Sequence, residues 1–279
     1  HSVNCDGKLF PSFVAEHFGM EVLKGSALAC LPNDKGKYVN FAISGAGQRF
    51  NTSINPKTTN VGSFQHQINR FINLTTNTDI QNDLVLYHDV GGNDLLQMVY
   101  HIAFTQLNHD DLSKYIDQEI SAFVNATVNN LSSLYDHGMK NLFIFIGNDD
   151  VSKIPLYIKF AKKLTYIKNP IDFIQTNILD KMVESLDLAI NAFIEKHNDL
   201  DCRCYYTKNC MNLIRENDKM LVTLDTLAGI NYPEPIWPVD EPMPKKQIGN
   251  VLYIDDIHYT EQTNKAIAIV LIQYIGHKI

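Results

Sequence analysis

The stretch LFIFI, residues 142–146, decides the fold of this chain. Five consecutive apolar residues without polar alternation are typical of a strand that is buried on both faces of a sheet. The preceding residues 112–135 place apolar side chains at helical spacing, and Gly138 follows them as a left-handed cap residue would. A long helix that leads into a doubly buried strand predicts a parallel sheet covered by helices.

The alternation of strands and helices continues on both sides of this stretch. Short apolar runs predict further strands at residues 39–43, 84–87, 221–224 and 252–254. Helical periodicity predicts helices at residues 10–18, 64–71, about 171–197, and from about residue 260 onward. The proline-rich residues 233–244 have the composition of a surface loop, and no repeat or linker divides the chain. We therefore expect a single α/β domain over residues 1–279.

The composition supports a folded protein with a sizeable core. Of the 279 residues, 45% are hydrophobic and 20% are charged, which excludes wholesale disorder. The net charge is −7 without a block of like charge, which argues against a nucleic-acid groove or a polybasic membrane patch. The longest apolar stretch, residues 266–275, has about half of the ~20 residues that a membrane-spanning helix needs, so we expect no membrane span.

Four N-glycosylation sequons point to a compartment. They begin at Asn51, Asn73, Asn125 and Asn130, and together they favour a secreted or vacuolar protein of the secretory pathway. No signal peptide is visible, and the chain opens at His1 rather than at a methionine. We therefore expect a processed product from which an upstream segment has been removed.

The cysteines favour a disulfide over a metal site. Three of the five lie within nine residues, and the complete set is Cys5, Cys30, Cys202, Cys204 and Cys210. A zinc site at the cluster would lack a fourth ligand at a standard spacing, so we expect a local disulfide in a loop. The odd count leaves one thiol free or paired outside this chain.

Polar residues follow the predicted strands, at the edge where open parallel sheets bind ligands. Asp255 and His258 form an Asp-x-x-His pair after the last strand. The carboxylate can accept a hydrogen bond from one ring nitrogen and leave the other as a general base. Helix capping by Asp255 is the alternative interpretation.

Asn93 follows two glycines, so its side-chain amide lies where a ligand can approach the backbone closely. With the backbone N–H of Gly45, this amide could stabilise an oxyanion. A simple Gly-Asn turn is the alternative. A second Gly-Asn-Asp contains Asn148 and also follows a strand, so the motif alone does not choose between them.

In order and spacing these segments resemble the sequence blocks of the GDSL or SGNH family of serine ester hydrolases. Residues 40–46 (NFAISGA) resemble the second block, in which the glycine, here Gly45, gives an oxyanion-hole amide. Residues 91–94 (GGND) match the third block, G-x-N-D, so the resemblance gives Asn93 the second oxyanion donor. Residues 255–260 (DDIHYT) match the last block, D-x-x-H-P-T, except that Tyr259 replaces proline.

The resemblance covers nearly the whole chain and implies a fold. Residues 6–16 and 152–157 resemble the family's first helix and its proline-containing segment. The implied fold is a three-layer α/β/α sandwich with a central, mainly parallel sheet, the flavodoxin-like fold of SGNH hydrolases.

The family's first block, G-D-S-L, has no counterpart in this chain. That block holds the nucleophilic serine and ends an interior strand, whereas Ser2 and Ser44 lie in other contexts. Loss of an interior strand would leave buried amides unpaired, at about 1–3 kcal/mol each. We therefore expect the nucleophile on an upstream segment, and three explanations stay open for the first strand. It is a separate cleaved peptide, which Cys5 could tether, it is missing from the sequence as given, or another element fills its position.

The resemblance implies a carboxylic ester hydrolase that needs no cofactor and acts on a small ester, such as an acetylated carbohydrate or a lipid. A catalytically inactive SGNH-fold protein with a binding, storage or structural role is the alternative, since the nucleophile is missing. A metal-dependent hydrolase is disfavoured because the candidate histidines lack paired ligand spacing. These are His66, His88, His101, His109 and His137.

Overall fold

The computed structural model describes residues 9–22, 37–38, 41–42, 46–48, 63–77, 79–105, 107–216, 259 and 261–275, without the side chains of residues 21, 22, 37, 38 and 89. These residues group into two compact units. The core unit is drawn from residues 41–153 and 157–207, and the terminal unit from residues 1–40, 154–156 and 208–279. The single domain over residues 1–279 stays a prediction.

The described elements alternate between helices and strands. The helices are α1 Phe10–His17, α2 Phe64–Thr75, α3 Gly92–Thr105, α4 His109–Asp136, α5 Pro155–Ala161, α6 Pro170–Phe173, α7 Lys181–Lys196, α8 Thr207–Glu216 and α9 Glu261–Ile275. The strands are β1 Glu21–Val22, β2 Lys37–Tyr38, β3 Leu84–Val90, β4 Asn141–Ile146 and β5 Asp201–Tyr206. Among these helices, none is both long and apolar enough to cross a bilayer.

The core unit is organised around a parallel sheet with the strand order β3-β4-β5. The predicted doubly buried strand is its centre, since every side chain from Leu142 to Ile146 is at most 4% exposed. Long helical segments connect the strands, as parallel pairing requires. The fold is therefore a mostly helical α/β structure with a small parallel sheet, consistent with the SGNH hydrolase fold, and that prediction is confirmed.

Helix α4 follows the predicted amphipathic pattern closely. Its first turn is capped by Asn108, whose Oδ1 accepts a hydrogen bond from Asp111 N at 2.9 Å. Gly138 ends the segment with φ +104°, a left-handed conformation that favours glycine. The buried side chains lie three or four residues apart along the helix: Leu112, Ile116, Ile120, Phe123, Thr127, Asn130, Leu131 and Leu134.

The second predicted long helix contains an irregularity. Residues 170–196 are helical throughout, but the segment Ile174–Asp180 between α6 and α7 is a π-helix. Its Gln175 Oε1 accepts a hydrogen bond from Val151 N at 3.1 Å, and its Nε2 donates to Asp180 Oδ1 at 2.7 Å. Hydrophobic spacing alone does not reveal this local widening of the helix.

Two other sequence expectations differ from the structure. Strand β2 ends just before the strand expected at residues 39–43, of which the structure describes only Phe41 and Ala42, and these two have no regular structure. Strand β5 occupies the cysteine-rich stretch where we expected a loop. The sequence did not indicate this strand, because its half-buried side chains show no clear alternation of apolar and polar residues. The strands expected at residues 221–224 and 252–254, and the loop at residues 233–244, lie outside the described residues.

In the terminal unit, α1 packs against α9. Helix α1 has no side-chain cap of its own at Leu9. Instead, Phe10 N donates to the buried Asn264 Oδ1 of α9 at 3.2 Å. A residue 254 positions away therefore satisfies one of the four N–H groups that every helix leaves open at its start.

His88 on β3 makes stability depend on pH. Burial lowers the pKa of this imidazole to about 4 from an ordinary value of 6.5. The unfolded chain then binds the proton more strongly than the folded one between these values, so stability falls as pH drops from 6.5 toward 4. We expect His88→Gln to reduce the acid loss of unfolding free energy by about 1–3 kcal/mol in urea titrations.

The exposed His109 provides the matched control, since His109→Gln removes an imidazole that lies at the surface. Parallel pH profiles for the wild type and His88→Gln would contradict this assignment.

Candidate active site

The structure describes one of the four predicted site residues. Asn93 lies in the first turn of α3, directly after β3. Gly45, Asp255 and His258 lie outside the described residues, as does Ser44.

The turn between β3 and α3 requires glycine at its first position. Gly91 has φ +95°, and a Cβ atom there would lie 2.5 Å from Met182 Cε and 3.3 Å from Phe123 Cζ. The backbone conformation therefore disfavours a larger residue, and an added Cβ atom would also force the terminal methyl group of Met182 to shift. This turn delivers Asn93 and Asp94 at the carboxyl end of β3, where open parallel sheets bind ligands.

Asn93 and Asp94 both bind the segment 46–48, which follows Gly45 in the chain. The Asn93 amide Nδ2 donates to Ala46 O at 3.0 Å. The Asp94 carboxylate accepts from Gln48 N with both oxygens, at 3.1 and 2.9 Å. Two consecutive side chains of the G-x-N-D motif therefore fix the backbone next to the predicted oxyanion glycine.

The Asp94 carboxylate is only 2% exposed, yet its surroundings suit a charge. It lies in the first turn of α3, where the helix dipole stabilises an anion. Gly47 approaches it so closely that a Cβ atom would lie 3.0 Å from Asp94 Oδ1. The close approach explains why a residue without a side chain follows Ala46.

A buried polar cluster of Gln48, Tyr87 and Asn130 connects this segment to β3 and α4. Gln48 Oε1 accepts from Tyr87 Oη at 2.5 Å and from Asn130 Nδ2 at 2.7 Å. Asn130 Nδ2 also donates to Tyr87 Oη at 3.1 Å. Burial raises the pKa of the Tyr87 hydroxyl, so it stays a hydrogen-bond donor. Sequence reasoning missed this cluster, although Asn130 falls on the buried stripe of α4.

The cluster corrects one glycosylation prediction. The Asn130 side chain is 1% exposed and its nitrogen donates two hydrogen bonds inside the core unit. A glycan on that nitrogen is incompatible with this fold, so the sequon at Asn130 is a chance match. Asn73 and Asn125 are exposed, and Asn51 lies outside the described residues.

The second Gly-Asn-Asp occupies a different position. Gly147 N donates to Val90 O at 2.9 Å, which extends the pairing of β3 and β4. The Asp149 carboxylate accepts from Asp150 N at 2.8 Å, within its own loop. The hydrogen bonds to segment 46–48 described above come from Asn93 and Asp94, and the assignment of Asn148 as the decoy stays a prediction.

The residue after His258 is held in place by α9. Tyr259 O accepts a hydrogen bond from Asn264 Nδ2 at 3.3 Å, and the same Asn264 side chain binds Phe10 N. Asn264 therefore links the last sequence block to the first described helix within the terminal unit. Sequence reasoning missed this residue, because nothing local marks a polar side chain that is 3% exposed in an apolar helix.

A comparison with protein families matches the GDSL-like lipase/acylhydrolase model over residues 2–271. This chain belongs to the GDSL-like lipase/acylhydrolase family. A search of the curated proteins gave no significant match. Family membership supports an ester-hydrolase function and implies small ester substrates for this GDSL-like chain.

The local disulfide that we expected in the cysteine cluster of this GDSL-like protein is absent from the described residues. Cys202 and Cys204 lie on β5 and Cys210 on α8, and none of the three forms a disulfide. A hydrogen bond with Cys204, together with burial, raises the pKa of the Cys202 thiol. Cys5 and Cys30 lie outside the described residues. The described part of the chain includes no group of three or more His, Cys, Asp and Glu side chains placed to hold a metal ion.

Gly91→Ala tests whether space as well as backbone conformation requires glycine in the G-x-N-D motif. Gly138 is the matched control, because it has φ +104° and nothing within 4 Å of an added Cβ atom. We expect Gly91→Ala to lose more unfolding free energy than Gly138→Ala in urea titrations, with overpacking adding about 1–3 kcal/mol. Equal losses for the two variants would show that the contact with Met182 has no effect.

Proposed function

We propose that this protein hydrolyses carboxylic esters by Ser-His-Asp catalysis. His258 acts as general base toward the serine and then as general acid toward the leaving alcohol, and Asp255 orients its ring. The backbone N–H of Gly45 and the side-chain amide of Asn93 stabilise the oxyanion of the tetrahedral intermediate. The reaction needs no cofactor.

The observation that carries the proposal is the hydrogen bond from Asn93 Nδ2 to Ala46 O. A side-chain amide nitrogen has two N–H groups, and this bond uses one of them. The bond holds the amide next to the residue that follows Gly45, in a chain of a family of acylhydrolases. A fixed donor needs no reorganisation when charge develops in the transition state.

We propose that the nucleophilic serine lies on a segment that precedes this chain in the family's block order. Among the described strands, β3 pairs on one side only, with β4. A strand that carries the serine would find backbone partners at the other edge of β3, and such edges are normally covered. The cleaved peptide and its tether to Cys5 are parts of this proposal.

The substrate class follows from the family and not from the described residues. An acetylated carbohydrate and a lipid ester both contain the acyl carbonyl that Asn93 and Gly45 would polarise. Turnover of p-nitrophenyl acetate and of a p-nitrophenyl ester with a long acyl chain would distinguish a preference for short chains from a preference for lipids.

The proposed secretory route makes a prediction about glycans. We expect N-linked glycans at Asn125 and Asn73, whose side chains are exposed, and none at Asn130. In protein from a secreting eukaryotic host, Asn125→Gln should remove one glycan from the intact mass, whereas Asn130→Gln should leave the mass of the glycans unchanged. A glycopeptide that carries its glycan on Asn130 would contradict the structure.

The oxyanion role of Asn93 can be tested by comparing its substitution with that of Asn148, the asparagine of the second Gly-Asn-Asp. We expect Asn93→Ala to lower kcat for p-nitrophenyl acetate by about 10²–10³. His258→Ala should lower it by several orders of magnitude, since triad members act as a unit. Asn148→Ala, in the second Gly-Asn-Asp, should stay within a few-fold of the wild type. Equal effects of Asn93→Ala and Asn148→Ala would remove Asn93 from the oxyanion hole.

A phosphonate probe of serine hydrolases decides between the enzyme and an inactive relative. The probe should label protein produced from the complete gene, on a peptide N-terminal to His1. The absence of both labelling and ester turnover in that protein would favour the binding, storage or structural role.

A further inference from the structure

One end of α3 and the segment that follows α5 expose three aromatic rings. Phe104 is 52% exposed, Tyr166 is 43% exposed and Tyr100 is 37% exposed. The Tyr100 and Phe104 rings lie 4.5 Å apart, and Tyr166 Oη donates to Ile102 O of α3 at 3.0 Å. These contacts join the rings into one surface, which we call the aromatic patch: Tyr100, Phe104 and Tyr166.

Two rings of the aromatic patch pack against a buried ring. Phe160 of α5 is 8% exposed, and its ring lies 5.9 Å from that of Tyr100 and 6.5 Å from that of Phe104. Both contacts have edge geometry, which aromatic pairs prefer. Tyr100 and Phe104 therefore present their apolar area from a helix and not from a loop.

The chain segment that contains Phe160 and Tyr166 is rich in lysine. Residues 151–171 contain five lysines and neither arginine nor an acidic residue, between Asp150 and Asp172. All five are exposed: Lys153, Lys159, Lys162, Lys163 and Lys168. Lys163 Nζ lies 5.0 Å from the centroid of the Phe104 ring, which places a positive charge directly at the patch. Only Lys162 and Lys163 are adjacent, so the sequence shows no block of like charge and did not indicate a basic membrane patch.

This local charge opposes that of the whole protein. The chain has a net charge of −7, and a positive region on an acidic protein selects an anionic partner. Lysine side chains and amphipathic aromatic rings are the combination found at membrane–water interfaces. The absence of arginine from this stretch disfavours the planar, bidentate recognition of phosphate that nucleic-acid surfaces use.

We propose that the aromatic patch and its lysines bind an anionic lipid surface. The lysines are attracted to the negative headgroups, and the rings of Phe104, Tyr100 and Tyr166 insert at the headgroup level. The proposal concerns an interaction surface in the core unit and does not depend on catalysis by Asn93 or His258.

Vesicle sedimentation tests this surface. We expect the complete protein to bind vesicles of phosphatidylcholine with phosphatidylserine at least 10-fold more strongly than vesicles of phosphatidylcholine alone, with binding reduced by salt. Lys162→Glu/Lys163→Glu should weaken binding by about 10–100-fold, since each lysine contributes roughly a factor of five. Phe104→Ser should weaken it by several-fold.

Two control variants keep the test specific. Lys114→Glu changes an exposed lysine of α4, and Leu188→Ser removes an apolar side chain of α7 that is 68% exposed. Both should bind vesicles as the wild type does, and all variants should keep the wild-type circular dichroism spectrum.

Three results would overturn the proposal: no vesicle binding, equal binding to the two vesicle types, or equal losses in the patch and control variants. Binding to heparin or single-stranded RNA without vesicle binding would assign the surface to a different anionic partner. Because sedimentation needs no turnover, a failure here leaves the ester-hydrolase proposal untouched. Conversely, a protein that binds vesicles but does not turn over p-nitrophenyl acetate would contradict the ester-hydrolase proposal and leave the lipid-binding surface in place.

Discussion

The hydrogen bonds from the G-x-N-D motif to segment 46–48 are the constraint on which the candidate site depends. Asn93 and Asp94 each bind the backbone of a segment nearly 50 residues earlier in the chain. An oxyanion hole is effective only if its donors are already aligned when charge develops. A glycine turn at Gly91, a charged side chain at a helix start and a close approach at Gly47 all serve that alignment.

The polar cluster beneath this segment has an energetic consequence. Gln48, Tyr87 and Asn130 replace apolar packing with hydrogen bonds at the point where the segment meets β3 and α4. Within the described part of the chain, Gln48 Nε2 and Asn130 Oδ1 have no hydrogen-bond partner. Loss of one partner from such a buried cluster costs about 1–3 kcal/mol, so the hydrogen bonds that are present favour one position of segment 46–48.

The sequence predicted those elements whose patterns are local. Residues 142–146 are apolar without interruption, and α4 repeats its apolar positions over seven turns, so both were clear before the structure was known. Strand β5 is half-buried and carries cysteines and an arginine, which conceal it. Helix α3 was not predicted, although its buried side chains run from Asp94 to Ala103, because it begins directly after the glycine turn and its first residues look like a loop.

The candidate site also has features that are local in the sequence and features that only the fold reveals. The G-x-N-D motif is local, so Asn93 was found from its neighbours, but its contact with Ala46 spans 47 positions and only the fold reveals it. The sequon at Asn130 was misread because the pattern Asn-x-Ser does not report which face of a helix the asparagine occupies. Its three-residue spacing from Thr127 on the buried stripe of α4 was the signal that could have excluded it.

The bond between Phe10 and Asn264 affects how the protein is made in the cell. The core unit ends near residue 207, so its sheet can form while the ribosome is still adding the later residues. The pairing of α1 with α9 must wait until α9 has left the exit tunnel, because its two partners are 254 residues apart. Until then, α1 lacks the helix that packs against it in the folded terminal unit.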